Sequence, residues 1–108
     1  MPSKLVEKIR SVLRLNHKEF DEEIEMLINT SIEDLKTSGI ASSYFKETQY
    51  RPMIETAIIT YCKANFGYDN QDAERLQNSY EMQKQKLAIS HHDYQPPETI
   101  EANQEGDN

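Results

Sequence analysis

The chain has 108 residues and a formal net charge of −7, from 19 acidic against 12 basic side chains. That length supports one domain with one modest core, and an acidic balance without a Lys/Arg cluster joined to aromatics excludes a strong grip on phosphates. The single cysteine excludes an internal disulfide, and no apolar run has the length of a transmembrane helix or the makeup of a signal peptide, so folding in the cytosol is expected.

Residues 4–13 form the first predicted helix: Leu5, Ile9, Val12 and Leu13 make an apolar stripe, with Ser3 as N-cap and basic residues lying mostly off the stripe. Asn16-His17-Lys18-Glu19 has the pattern of a helix start in which Asn16 and Glu19 satisfy each other's backbone N–H groups. The second helix then carries Phe20, Ile24, Leu27, Ile28, Ser31, Ile32 and Leu35 on one stripe to about Thr37, with Gly39 as its stop. Its first turns hold Glu19, Asp21, Glu22 and Glu23, which the helix dipole favours. This acidic side faces water or a lumen.

Residues 38–51 make a connection that is long for a helical domain. Ile40, Tyr44, Phe45 and Tyr50 are too apolar for a purely solvated loop; they either cap the core or meet another chain.

The stretch from Arg51 to Asn70 is the centre of the chain. Pro52 suits a first helical position and Gly67 the left-handed position just past the end. Between them Ile54, Ile58, Tyr61 and Cys62 fall on one face, Met53, Ala57 and Ala64 on a second, Ile59 and Phe66 on a third. A helix apolar on several sides belongs in the middle of a bundle, and Cys62 within it reads as a small core residue rather than a nucleophile. Asp69 or Asn70 caps a fourth helix from about Gln71 to Ala88. Its stripe of Ala73, Leu76, Tyr80, Gln83 and Leu87 is thin, which fits packing on one side only or a seam with a neighbouring subunit. Strand signals are nearly absent. The expected architecture is all-α: a small four-helix bundle around the central apolar helix, spanning residues 1–90, followed by a flexible acidic tail over residues 91–108. In that tail only Tyr94 and Ile100 have the character of anchors.

No catalytic constellation is present in this pattern. His91, His92 and Asp93 are adjacent on a segment expected to be flexible, which does not hold a metal in fixed geometry. The Glu-x-x-His pairs of di-metal bundles, Gly-rich phosphate loops and nucleophile elbows are missing. An enzyme, a metal site or a cofactor is therefore not expected.

Residues Pro52 through Arg75 resemble the small head–tail connector proteins of tailed double-stranded-DNA bacteriophages and prophages. In that family a comparable apolar helix ends in an aromatic-Gly-aromatic turn followed by Asp-Asn and an acidic, Ala-containing helix start; here these are Phe66-Gly67-Tyr68, Asp69-Asn70 and Asp72-Ala73-Glu74-Arg75. Ser79-Tyr80-Glu81 with Leu87, and upstream Leu15-Asn16-His17 through Ile24 and Asp34 to Ile40, are also similar. Gln71 departs from the proline common at its position, and the sequence past Ser90 matches nothing in the family pattern. The resemblance implies a structural virion protein, assembled from subunits made in the host cytoplasm. It implies a dodecamer-like ring, with subunits that are often monomeric in solution, docked on the portal protein. The ring extends the DNA channel without specific DNA binding and without membrane contact, and supports a head-completion or tail protein.

On this reading Tyr44, Phe45, Tyr50, Leu76, Tyr80, Tyr94 and Ile100 are candidate contacts with a neighbouring subunit or the portal, and Glu22, Glu23 and Glu25 are candidate channel-facing acids. Ile54, Ile58, Tyr61, Phe66, Gly67, Tyr68, Asp69 and Asn70 form the core and signature. The alternative from another class is a small helical DNA-binding or terminase-like regulator. It needs an exposed recognition helix, and the basic residues of positions 4–18 are spread around a short amphipathic helix instead.

Overall fold

The computed structural model describes residues 4–46, 50–67 and 69–91. Its elements are α1 (Lys4–Val12), α2 (Asp21–Thr37), a single 3-10 turn (Ser42–Phe45), α3 (Pro52–Asn65) and α4 (Ala73–Ser90), with no strand among the described residues. The all-α bundle expected from the sequence is the fold observed. The central helix is α3, which buries Ile54, Ala57, Ile58, Thr60, Cys62 and Ala64. It packs along α4 and α2, while α1 leans principally on α2. Leu5, Val6 and Ile9 of α1, Ile24, Ile28 and Leu35 of α2, and Tyr80 and Leu87 of α4 complete the core. Thr60 is admitted to it because its hydroxyl donates to the Thr56 carbonyl at 2.9 Å, leaving no lost hydrogen bond. Burial pushes the Cys62 thiol up to about 12, so it is a protonated core side chain.

The helix ends explain the connections. At the end of α2, Gly39 has φ +106°, and the Gly39 and Ile40 N–H groups donate back to the Lys36 and Leu35 carbonyls. The same pair of bonds closes α1: the Arg14 N–H donates to Ser11 at 3.0 Å and the Leu15 N–H to Arg10 at 2.9 Å. There the left-handed position is held by Arg14 at φ 63°, which costs a side chain about 1–2 kcal/mol relative to right-handed backbone.

Two helix starts differ from the sequence expectation. The Asn16–Glu19 capping arrangement does not form; α2 begins at Asp21, with Phe20 at the cap position and no side-chain cap bond. A longer-range contact decides the start. Arg10 grips Asp21 with two parallel hydrogen bonds, Nε to Oδ1 at 3.0 Å and a terminal nitrogen to Oδ2 at 2.9 Å, a planar match worth more than one local cap. Phe20 is held between His17 and the edge of Phe66, with ring centres 5.6 and 5.4 Å away. Likewise α4 begins at Ala73 rather than Gln71, because Asn70 is used elsewhere. Its amide donates to the Lys63 carbonyl at 2.6 Å, at the end of α3, while its Oδ1 accepts the Asp72 N–H at 3.0 Å. One side chain thus joins the last turn of α3 to the approach of α4, and Gly67 at φ 81° lets the chain reverse between them.

The strained end of α1 yields a stability prediction. Arg14→Gly should raise stability by about 0.5–1 kcal/mol, the left-handed strain being partly offset by glycine's extra unfolded-state entropy. Thermal melts should then shift upward by about 2–8 °C; an unchanged or lower midpoint would contradict the assignment of strain to this position.

Candidate interaction surfaces

The long connection before α3 is tied to the end of α4. Ile40 and Ala41 are buried, and the Ala41 N–H donates to the His91 carbonyl at 2.8 Å. Tyr44 meets the His91 ring edge-on at 4.7 Å, and the Arg51 guanidinium lies over the Tyr44 ring at 5.1 Å. His91 is itself buried; its Nδ1 is 2.7 Å from the Ser90 hydroxyl and its Nε2 3.4 Å from Arg51. Phe45 lies against Tyr50 with centres 6.3 Å apart, under the Lys36 ammonium at 5.7 Å. Tyr44, Phe45 and Tyr50 are therefore half-buried lids on the core, the first of the two roles left open by the sequence. The packed unit also includes His91, one residue beyond the expected boundary.

Tyr80 corrects the expectation of a subunit seam on the inner stripe of α4. It is fully buried within the monomer, and its hydroxyl donates to Asp34 Oδ2 at 2.7 Å. Lys84 Nζ reaches the same oxygen at 2.9 Å and Glu81 at 2.9 Å, while Tyr61 meets the Tyr80 ring at 5.0 Å. The stripe is thin in apolar residues because its central member is an aromatic whose partner is a carboxylate of α2, not because it is unpartnered. Leu76 is half-buried on the same helix. Burial pushes the Asp34 carboxyl up, and the hydrogen bonds from Lys84 and Tyr80 outweigh this and hold it below its ordinary value. Burial and the Asp34 hydrogen bond both push the Tyr80 hydroxyl up.

The signature segment is divided in the same way. Ile54 and Ile58 are fully buried, Tyr61 and Phe66 half-buried, Asp69 exposed, and Gly67 and Asn70 shape the α3–α4 corner. Tyr68, Tyr94 and Ile100 lie outside the described residues.

Two outward faces remain. On α2, the side opposite Ile24, Ile28 and Leu35 presents Glu22, Glu25, Met26, Asn29, Thr30 and Glu33, all from one helix and so forming a flank rather than a cavity. Glu22 and Glu25 are exposed there, whereas Glu23 is half-buried beside it. The other face is apolar. Met53 at the start of α3 is 47% exposed, and Met82 and Ile89, seven residues apart on the outer side of α4, are 72% and 77% exposed. Between the two helices Pro52, Met53, Thr56, Gln83, Lys86 and Leu87 enclose a groove of about 270 Å³. Sequence reading missed this face, although the spacing of Met82 and Ile89 places them opposite Tyr80 on any helix of ordinary pitch. Among the described residues no group of three or more His, Cys, Asp and Glu side chains is arranged to hold a metal ion.

The family model described as phage connector protein matches residues 5–94. No curated protein and no solved structure matches the chain.

The Asp34 joint gives a pH prediction. A carboxyl held low in the folded state adds stability above its unfolded value near 4, and that stability is lost as pH falls through the folded value. Lys84 is held above its ordinary value because its bonds to Asp34 and Glu81 outweigh burial, so its contribution persists at neutral pH and disappears only as pH rises through that raised value. Asp34→Asn should cost about 1–2 kcal/mol at pH 7, discounted for partial exposure, with the deficit shrinking below pH 4. Urea unfolding across that pH range checks both the size and the sign.

Proposed function

The chain belongs to the phage connector protein family, and we propose that it forms a ring beneath the portal, extends the DNA channel there and gives the head-completion or tail protein its platform. The family is structural rather than enzymatic, and a connector acts in the virion at the head–tail junction, with portal and head or tail proteins as its partners. The observation that carries the reading is the extent of the match: residues 5–94 run from α1 through all of α4, so it rests on the whole bundle rather than on one short motif.

Physical features agree with it. A closed ring of identical subunits needs two different surfaces on each copy that fit one another, and exposed Met53 of α3 with Met82 and Ile89 of α4 offers apolar surface for one of them. An acidic lining repels phosphate and lets DNA slide without sticking, which suits Glu22 and Glu25 at the lumen with Glu23 behind them. The regulator alternative finds no favouring observation. Two of its needed cations are engaged within the fold, Lys8 with Glu55 at 2.8 Å and Arg10 with Asp21 at 2.9 Å.

Electron microscopy of the protein mixed with its portal, during assembly in the host cytoplasm or from purified parts, should reveal an added ring below the portal. A subunit that is monomeric alone and assembles only on the portal is compatible with this outcome; an unaltered portal would refute the proposal. Reversing charge at Glu22, Glu23 and Glu25 together should slow DNA ejection, and unchanged ejection would remove these acids from the lumen.

A further inference from the structure

We infer that two copies of this chain associate in solution along the outer face of α4, side by side and pointing the same way. This inference stands apart from the connector reading and does not depend on it. Its first support is spacing. Arg75, Asn78, Met82, Gln85 and Ile89 recur at intervals of three and four, and all five are exposed. Residues so spaced make one narrow stripe, the kind of seam along which two helices wind together. Met82 and Ile89, 72% and 77% exposed, lie one heptad apart at equivalent places in that seam. In heptad terms they hold a positions with Arg75, and a β-branched residue such as Ile89 at an a position favours a two-stranded parallel pair. Asn78 and Gln85 hold the alternate d positions. Each amide carries donors and an acceptor, so each can pair with its own counterpart across a two-fold axis. Such polar members lower affinity and fix the register.

Charge supplies the second support and sets the direction. Glu74 and Glu81 border the seam on one side, Ser79 and Lys86 on the other. Parallel winding brings each border against the opposite one, joining residues five apart in number. Glu81 then meets the partner's Lys86, and Lys86 the partner's Glu81. Antiparallel winding sets each border against itself, so that glutamates face glutamates. Lys86 makes no ion pair among the described residues. Glu81 is held in place by Lys84 and Gln77, yet its side chain is 46% exposed.

The size of the contact sets its strength. The 18 residues of α4 make about 27 Å of helix, and exposed Met53, beside Lys86 in the groove lining, widens the apolar strip. A contact of that extent is at the small end of specific interfaces, with a dissociation constant between micromolar and millimolar. Paired this way, each copy covers the other's outer α4 face until a competing partner separates them.

The test uses the full-length protein. In sedimentation equilibrium the mass should rise from 12.6 kDa toward twice that value as concentration increases. Met82→Glu combined with Ile89→Glu should hold it at the lower value throughout, and Lys86→Glu should weaken association about fivefold at low salt. Direction is read from Gln85→Cys. In a parallel pair the two introduced thiols lie opposite each other, so diamide should link them into a covalent dimer. Cys62 is fully buried and does not compete. Asn29→Cys, exposed on α2, should stay unlinked under the same treatment. A mass fixed at 12.6 kDa across the series would overturn the proposal, as would a rise that survives the paired glutamate substitutions. So would a doubled mass without linkage at position 85, which would assign the contact to another geometry. No portal is present in these measurements, so failure of either idea leaves the other standing.

Discussion

The reversal between α3 and α4 is the constraint on which the other contacts depend. Gly67 takes a left-handed conformation, and Asn70 ties the carbonyl of Lys63 to the N–H of Asp72. Those few residues lay α4 back along α3, so that Leu87 and Gln83 come beside Pro52 and Thr56. Only with α4 in that position does Tyr80 reach Asp34 and lock α2 to the far side. Loosening the corner would therefore act on three helices at once, although Gly67, Asn70 and Asp72 are neither large nor deeply buried.

Two kinds of joint hold the bundle, and they differ in tolerance. The contacts of α3 are apolar, with Ile54, Ile58 and Cys62 fully enclosed, and apolar packing accepts small sliding movements if volume is conserved. The contact between α2 and α4 is directional. Asp34 Oδ2 accepts both the Tyr80 hydroxyl and the Lys84 ammonium, and neither bond survives a shift of one residue in register. The polar joint therefore adds less to stability than to the uniqueness of the arrangement, a division seen where polar groups fix register in helical assemblies.

Much of this was legible in the sequence, because the helices are written in local signals. The period of Ile24, Ile28 and Leu35, the proline at position 52 and the glycines at 39 and 67 each act within a few residues, and each is found where its chemistry predicts. What escaped is what depends on distant partners. Asn16 and Glu19 satisfy the local pattern of a helix start, yet Arg10 recruits Asp21 instead. Tyr80 reads as a surface aromatic on a thin stripe until its acceptor, 46 residues away, is known. The burial of His91 depends on Ala41, Tyr44 and Arg51 together. Met82 and Ile89 are a different case: their shared face follows from spacing alone, since residues seven apart lie on one side of a helix, here the side opposite Tyr80.

The sorting of large side chains carries one more step. The described aromatic residues are mostly turned inward, as core or lids, whereas three methionines, Met26, Met53 and Met82, stand on the outside with Ile89. Aromatic rings have few rotamers and reward fixed geometry, so they suit contacts that never change. Methionine is unbranched and repacks readily against differently shaped neighbours. A protein whose outer contacts stay the same for its whole lifetime gains nothing from that pliancy. A protein that exchanges one neighbour for another during assembly does, because a single pliant face can be covered first by one partner and then by the next without the bundle beneath having to change.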